Sequence, residues 1–174
     1  LSTARAVTMV AEARSRGLPV SADVGVPYLF LTTDDIDGFD ARCHVTPPLR
    51  SAEDRDGLSR ALADGTLQAA CADHQPQGGD AKLNPFPMTS PGISGLETLL
   101  PLILAWSCEQ KVDLPTALAT VTTSPAQILG LNRGTLAPGE VADICMFDPN
   151  AVVTIDASTF ESHGKNTPFD EREL

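Results

Sequence analysis

Two stretches of the chain follow the same plan. "STARAVTMVAEARSRG" leads into "LPVSADVGV", and "SAEDRDGLSRALADG" leads into "TLQAACADHQP". In each, an amphipathic helix is closed by a glycine and a short β-rich run follows within a few residues, which is the αβ unit of a parallel sheet. In the first helix, residues 2–16, Ala6, Val7, Val10 and Ala13 share a face, and Gly17 stands where a left-handed C-cap is wanted. In the second, Ser51 followed by Asp54 makes a capping-box-like start, Leu58, Ala61 and Leu62 make the apolar stripe, and Gly65 ends it. Such a plan commits the chain to helices packed over a parallel sheet, with polar side chains delivered where the strands end.

The remaining segments extend this α/β reading. "CHVTPPLR" can be a strand only as far as Thr46, because Pro47 and Pro48 cannot donate to a ladder. "SGLETLLPLILAWSCEQ" has the length and apolar width of a core helix, with a kink expected at Pro101, and two shorter helical pieces are expected near 114–121 and 124–130. From Gly134 the run "GTLAPGEVADICMFDPNAVVTID" reads as short strands between Pro-Gly and Asp-Pro-Asn turns, a small β appendage; "SHGKNTPFDEREL" is loop-like. The expected division is therefore 1–130 and 131–174. About three strand–helix units fall short of the eight strands of a closed barrel, so the chain is expected to be the later part of a larger fold or to dimerise tightly.

Twenty-three acidic against 12 basic residues give a net charge of −11, so a nucleic-acid backbone is repelled, and partners are expected to be proteins or small molecules. The longest apolar run, "LETLLPLILAW", holds Glu97 and Pro101 and is too short to cross a bilayer. Cys43, Cys71, Cys108 and Cys145 form no CxxC pair and read as buried free thiols in a reducing cytoplasm. An opening Leu1 without a signal-peptide pattern reads as a processed or truncated piece.

Candidate chemistry gathers at Asp73-His74, where an apolar strand breaks into Pro, Gly and charge. A carboxylate at that edge can bind a metal or take a proton from metal-bound water; the pair reads equally as a loop cap. His44 reads as a structural histidine, His163 as a solvated one. Asp34, Asp35, Asp37 and Asp40 lack the bidentate Glu and flanking helices of an EF-hand and read as a solvated loop. There is no GxSxG elbow, HExxH, P-loop or GxGxxG fingerprint.

Taken in order, "PVSADV", "PPLRSAEDRDGL", "LADGTLQAACADHQP", "PGISGLETLLPL", "SPAQILGL", "GTLAPGEVADICMFDP" and "GKNTPF" resemble the C-terminal half of a dihydroorotase, of the class related to the cyclic amidohydrolases. The resemblance implies the later part of a (β/α)8 TIM-like barrel plus a small β-sandwich built from both chain ends, with the first strands and the HxH pair before Leu1. It also implies zinc as cofactor and a homo-oligomer. Asp73, in "ADHQP", matches the Asp of the family's DHxPH motif and takes on the implied roles of proton shuttle and metal ligand. Thr46, Pro91, Gly92 and Gln77 match substrate-contacting positions in the "PPLR" and "SPGISG" loops and at the end of DHxPH.

Three departures stand against that inheritance. Where the family reads roughly E-V-T-P-H-H-L-L-L, this chain reads "DVGVPYLFL", so Pro27 and Tyr28 occupy two His positions, to one of which the resemblance gives a metal-ligand role. Thr46 replaces the Asn before PPLR, and Gln77 replaces the closing His of DHxPH. Proline offers no side-chain donor, and an unperturbed phenol is a poor zinc ligand at neutral pH. The pattern is similar to that of non-catalytic dihydroorotase-like subunits that hold aspartate transcarbamoylase in its assembled form. An active dihydroorotase is the alternative, and action on a hydantoin or allantoin fits the motifs less well.

Overall fold

A computed structural model describes residues 1–174. Two parallel strands lie at its centre, β1 (Asp23–Gly25) and β2 (Ala69–Cys71), in the register Asp23↔Ala69, Val24↔Ala70 and Gly25↔Cys71. Each strand is preceded by its helix, as the sequence requires. Helix α1 (Ala4–Ser15) starts at Thr3, whose Oγ1 accepts the Ala6 N–H at 3.1 Å, and the chain leaves through Gly17 at φ +78°. Helix α2 (Ala52–Ala63) starts at Ser51, whose Oγ accepts the Asp54 N–H at 3.3 Å, and buries Leu58, Ala61 and Leu62. The expected face of α1 is only half-buried. It lies against α2 at Gly57, where a Cβ would stand 2.6 Å from the Ala4 Cβ, so glycine is what allows the approach.

Over the sheet, α3 (Leu99–Gln110) places Leu102, Ile103 and Trp106 in one core with Val24, Val26, Tyr28, Leu49, Leu58 and Phe169. Burying an indole leaves an N–H to satisfy. Trp106 Nε1 donates to Ser59 Oγ of α2 at 3.0 Å, which pins the two helices to each other. The helix starts at Leu99 rather than at Ser94, so Pro101 falls in its first turn. There the missing N–H has no intrahelical partner to lose, and the expected kink has no cause. Helices α4 (Leu114–Ala119) and α5 (Thr123–Ile128) complete the helical layer where short helical pieces were expected.

Other expectations need correction. Residues 43–46 form no strand: Cys43 ends a 3-10 turn, Ala41–Cys43, capped by Asp40, and Thr46 is already followed by prolines, leaving too little chain for a ladder. After Gly134 the β character is confined to one antiparallel bridge, Thr154 to Glu173, flanked by reciprocal 2.9 Å bonds between Val153 and Leu174. A strand needs a partner, and within 134–153 none is at hand; Leu136, Ile144 and Met146 stand in solvent. Of the cysteines only Cys43 is buried, while Cys108 and Cys145 are exposed. No helix is long and apolar enough to cross a membrane.

Candidate functional site at the strand ends

Because β1 and β2 run parallel, both release their chains on one side. After Gly25 the chain turns through a 3-10 turn, Val26–Leu29; after Cys71 it reaches Asp73 in the left-handed region at φ +46°. The two exits touch. A Cβ on Gly25 would lie 3.1 Å from Tyr28 Cδ2 and 3.2 Å from Asp73 Cβ, so Gly25 makes room for tyrosine and aspartate to meet. Tyr28 is buried, and its hydroxyl donates to the Pro47 carbonyl at 2.5 Å. Burial, and then the charge of Asp73, push the phenol pKa far up, so the ring stays protonated. Pro27 is buried in the same turn. Asp73 Oδ1 accepts from Gln75 Nε2 at 3.0 Å.

His74 faces a different way from Asp73 in chemical terms. Its Nδ1 accepts the N–H groups of Gly95 and Leu96 at 3.2 and 3.1 Å, which assigns the ring proton to Nε2. Gln77 is equally committed: its N–H donates to Asn166 Oδ1 at 2.8 Å and its Nε2 to the Pro91 carbonyl at 3.0 Å. Gly92, at φ +129°, packs so close to Gln75 that a Cβ would lie 2.5 Å from the Gln75 Cβ. Its carbonyl accepts from Asn166 Nδ2 at 2.8 Å and from Lys82 Nζ at 3.0 Å, while its N–H donates to the His44 carbonyl at 2.8 Å.

The structure thus brings Asp73, Tyr28, Gln77, Pro91 and Gly92 onto one rim, with exposed Thr46 on the segment that carries the Pro47 acceptor. His163 is exposed. The acidic loop is spent locally: Asp35 Oδ2 accepts the Thr32 N–H at 2.6 Å, and Asp40 pairs with Arg42 at 2.8 Å. Sequence reasoning missed two residues that organise the rim, Lys82 and Asn166. Asn166 lies inside the "GKNTPF" motif, which was the available signal; Lys82 has none. Ser94, on the same loop as Gly92, is fully buried and its Oγ has no partner in the chain, an orphan that a water or ligand group would satisfy.

Within residues 1–174 these side chains do not make a zinc centre by themselves. No three His, Cys, Asp or Glu groups converge in a way that could hold a metal ion. At the rim Tyr28 is a protonated donor, the His74 Nδ1 lone pair is taken and Gln77 is engaged with main chain, so of these four Asp73 offers the free ligand atom. One carboxylate is short of the three or four protein ligands zinc takes, so a centre here would need ligands from outside residues 1–174, where the resemblance places the HxH pair.

The sequence profile of the amidohydrolase family matches residues 7–170. The chain belongs to the amidohydrolase family. Among its relatives, this amidohydrolase chain is 45% identical over 169 residues to a dihydroorotase-like protein of Pseudomonas aeruginosa and 44% identical to one of Pseudomonas putida, covering 97% of this chain and 40% of each relative. It is 40% identical to a dihydroorotase of Geobacter metallireducens, again over 40% of that protein's length. Among solved structures, an L-hydantoinase from Arthrobacter aurescens superposes over the whole chain with a TM-score of 0.93 at 30% identity, covering 40% of the hydantoinase. Like these TIM-barrel enzymes, the amidohydrolase chain is α/β, with its parallel strands and outer helices arranged as in the later part of the barrel. It spans about two-fifths of the length of the relatives it matches.

Proposed function

We propose that this amidohydrolase chain belongs to a dihydroorotase-like protein of pyrimidine biosynthesis in which the family's cyclic-amide chemistry, between N-carbamoyl-aspartate and dihydroorotate, is impaired, and which serves as a partner subunit of aspartate transcarbamoylase. The observation that carries this reading is the Tyr28 hydroxyl. At a position where the resemblance expects imidazole, the chain places a buried, protonated phenol already donating to Pro47. Gln77 supports it, since the residue in place of the closing histidine spends its side chain on the Pro91 carbonyl. A fold kept intact around altered chemical groups fits selection for assembly rather than turnover. Similarity to proteins named dihydroorotase-like supports the pathway.

A second reading, an active metal-dependent dihydroorotase, is favoured by Asp73 alone. Its carboxylate stands at the end of a parallel strand, where a proton shuttle belongs, and its neighbour Gln75 leaves one oxygen free. The two readings separate on Asp73→Ala. In the scaffold, co-purification of aspartate transcarbamoylase with the protein is unchanged by the substitution and neither form converts dihydroorotate. Dihydroorotate turnover by the native protein, abolished in D73A, contradicts the scaffold reading.

A further inference from the structure

Between α2, the last turn of α3 and the C-terminal residues lies a cavity of about 230 Å³ with polar walls: Arg55, Asp56, Ser59, Glu109, Gln110 and Arg172. It shares no residue with the rim. Arg172 is anchored there through both main chain and side chain. Its N–H donates to the Phe169 carbonyl at 3.1 Å and its carbonyl accepts the Ile155 N–H at 2.9 Å. Its guanidinium carbon stands 5.1 Å from the centre of the Phe30 ring and 5.7 Å from that of buried Phe169. Yet the guanidinium pairs with nothing. In a chain of 23 acidic and 12 basic residues the ion pairs are Arg42–Asp40, Arg55–Asp56 and Arg133–Asp143, and the Arg172 side chain donates no hydrogen bond to another residue. Arg55 has turned its Nε and Nη2 to Asp56 at 2.9 and 2.8 Å, whereas Glu109 has no ion pair. Ser59 is 5% exposed; its Oγ accepts from Trp106 Nε1, and its own proton has no acceptor in the chain.

We propose that this cavity binds a small aliphatic α-amino acid as its zwitterion, the carboxylate on Arg172 and the ammonium at Glu109. An arginine that contacts aromatic rings through its flat faces keeps its N–H edges free, and that planar fork matches a carboxylate with two parallel hydrogen bonds. The Ser59 hydroxyl has a proton left to give to the same anion. Charge then selects among anions. Arg55 and Asp56 neutralise each other, so the unpaired charges on the walls are one positive and one negative. A zwitterion answers both, whereas a phosphate dianion would face Glu109 with a single free cation to hold it. Leu29 and Phe30 complete the wall and offer apolar contact to an aliphatic side chain. The volume falls below the roughly 300–1,000 Å³ of drug-sized sites, so the occupant is small. L-Valine combines these features.

The test is calorimetric titration of the purified full-length protein with L-valine, with isovalerate, which lacks the ammonium, with isobutylamine, which lacks the carboxylate, and with inorganic phosphate. Saturable binding of one L-valine per chain is expected, with each single-charge analogue about tenfold weaker. Arg172→Lys keeps the charge but not the fork and should weaken valine about tenfold. Glu109→Gln, at an exposed position, should weaken valine yet tighten isovalerate, because a like charge has been removed; a folding defect would weaken both. Phenylglyoxal labelling of Arg172 in the native protein, read by peptide mass spectrometry, should slow when valine is saturating. No saturable valine binding, phosphate bound more tightly than valine, valine affinity unchanged in R172K or E109Q, isovalerate no tighter in E109Q, or Arg172 labelling that valine does not slow overturns the inference.

Discussion

Lys82 places its ammonium among three main-chain carbonyls, those of Ala41, Ser90 and Gly92, at 3.0, 2.7 and 3.0 Å. Each is a charge-assisted bond, and together they tie the loop after β2 to the turn before His44. Lys82→Met should therefore destabilise the protein by about 3 kcal/mol, read as a lower urea midpoint. Tyr28→Phe removes the part-buried bond to the Pro47 carbonyl and should cost about 1 kcal/mol without changing metal content. His44 adds a pH dependence. Its folded pKa is lowered, so the unfolded chain binds the proton first as pH falls through about 6.5 and stability drops below that pH; H44N should remove this portion of the slope. Asp73, Pro91 and Gly92 were legible at this scale because short motifs name them. The partners of Tyr28 and His44 were not, since which atom a phenol or imidazole bonds is decided by residues far along the chain, Pro47 and Thr89.

At the scale of elements, the contact between α1 and α2 depends on Gly57. Alanine would ordinarily strengthen a helix interior by about 1 kcal/mol. Here its Cβ would meet Ala4 at 2.6 Å, so Gly57→Ala should lower the melting temperature despite its better propensity. Both αβ units were readable from helical stripes and closing glycines, because those signals are local. The start of α3 was not. Residues 94–98 hold no proline to stop a helix, yet the Gly95 and Leu96 N–H groups turn to His74, and Glu97 accepts from the Ser162 N–H and hydroxyl at 2.8 and 3.0 Å, a competition fixed by tertiary partners. The segment 134–153 reads as strands because its apolar residues alternate with turns, but pairing is a property of two segments and only residues 172–174 are available to it.

Over the whole molecule, a sheet of two strands has two edges without a further strand, and Leu136, Ile144, Met146 and Val152 are exposed elsewhere on the chain. Residues 1–174 expressed by themselves should bind a hydrophobic dye and aggregate at micromolar concentration, whereas a monodisperse, dye-silent preparation would contradict this. The α/β class and the shortfall of strands were visible in the sequence from the count of αβ units, while the assembly of the rim from residues 28, 47, 73, 92 and 166 was visible only once folded. That rim is where the account stands or falls. The zinc content of the purified full-length protein, measured by mass spectrometry alongside dihydroorotate absorbance, tests it most directly. Well under one zinc per chain and no turnover is the predicted result; a stoichiometric zinc centre that includes Asp73, with turnover, would contradict it.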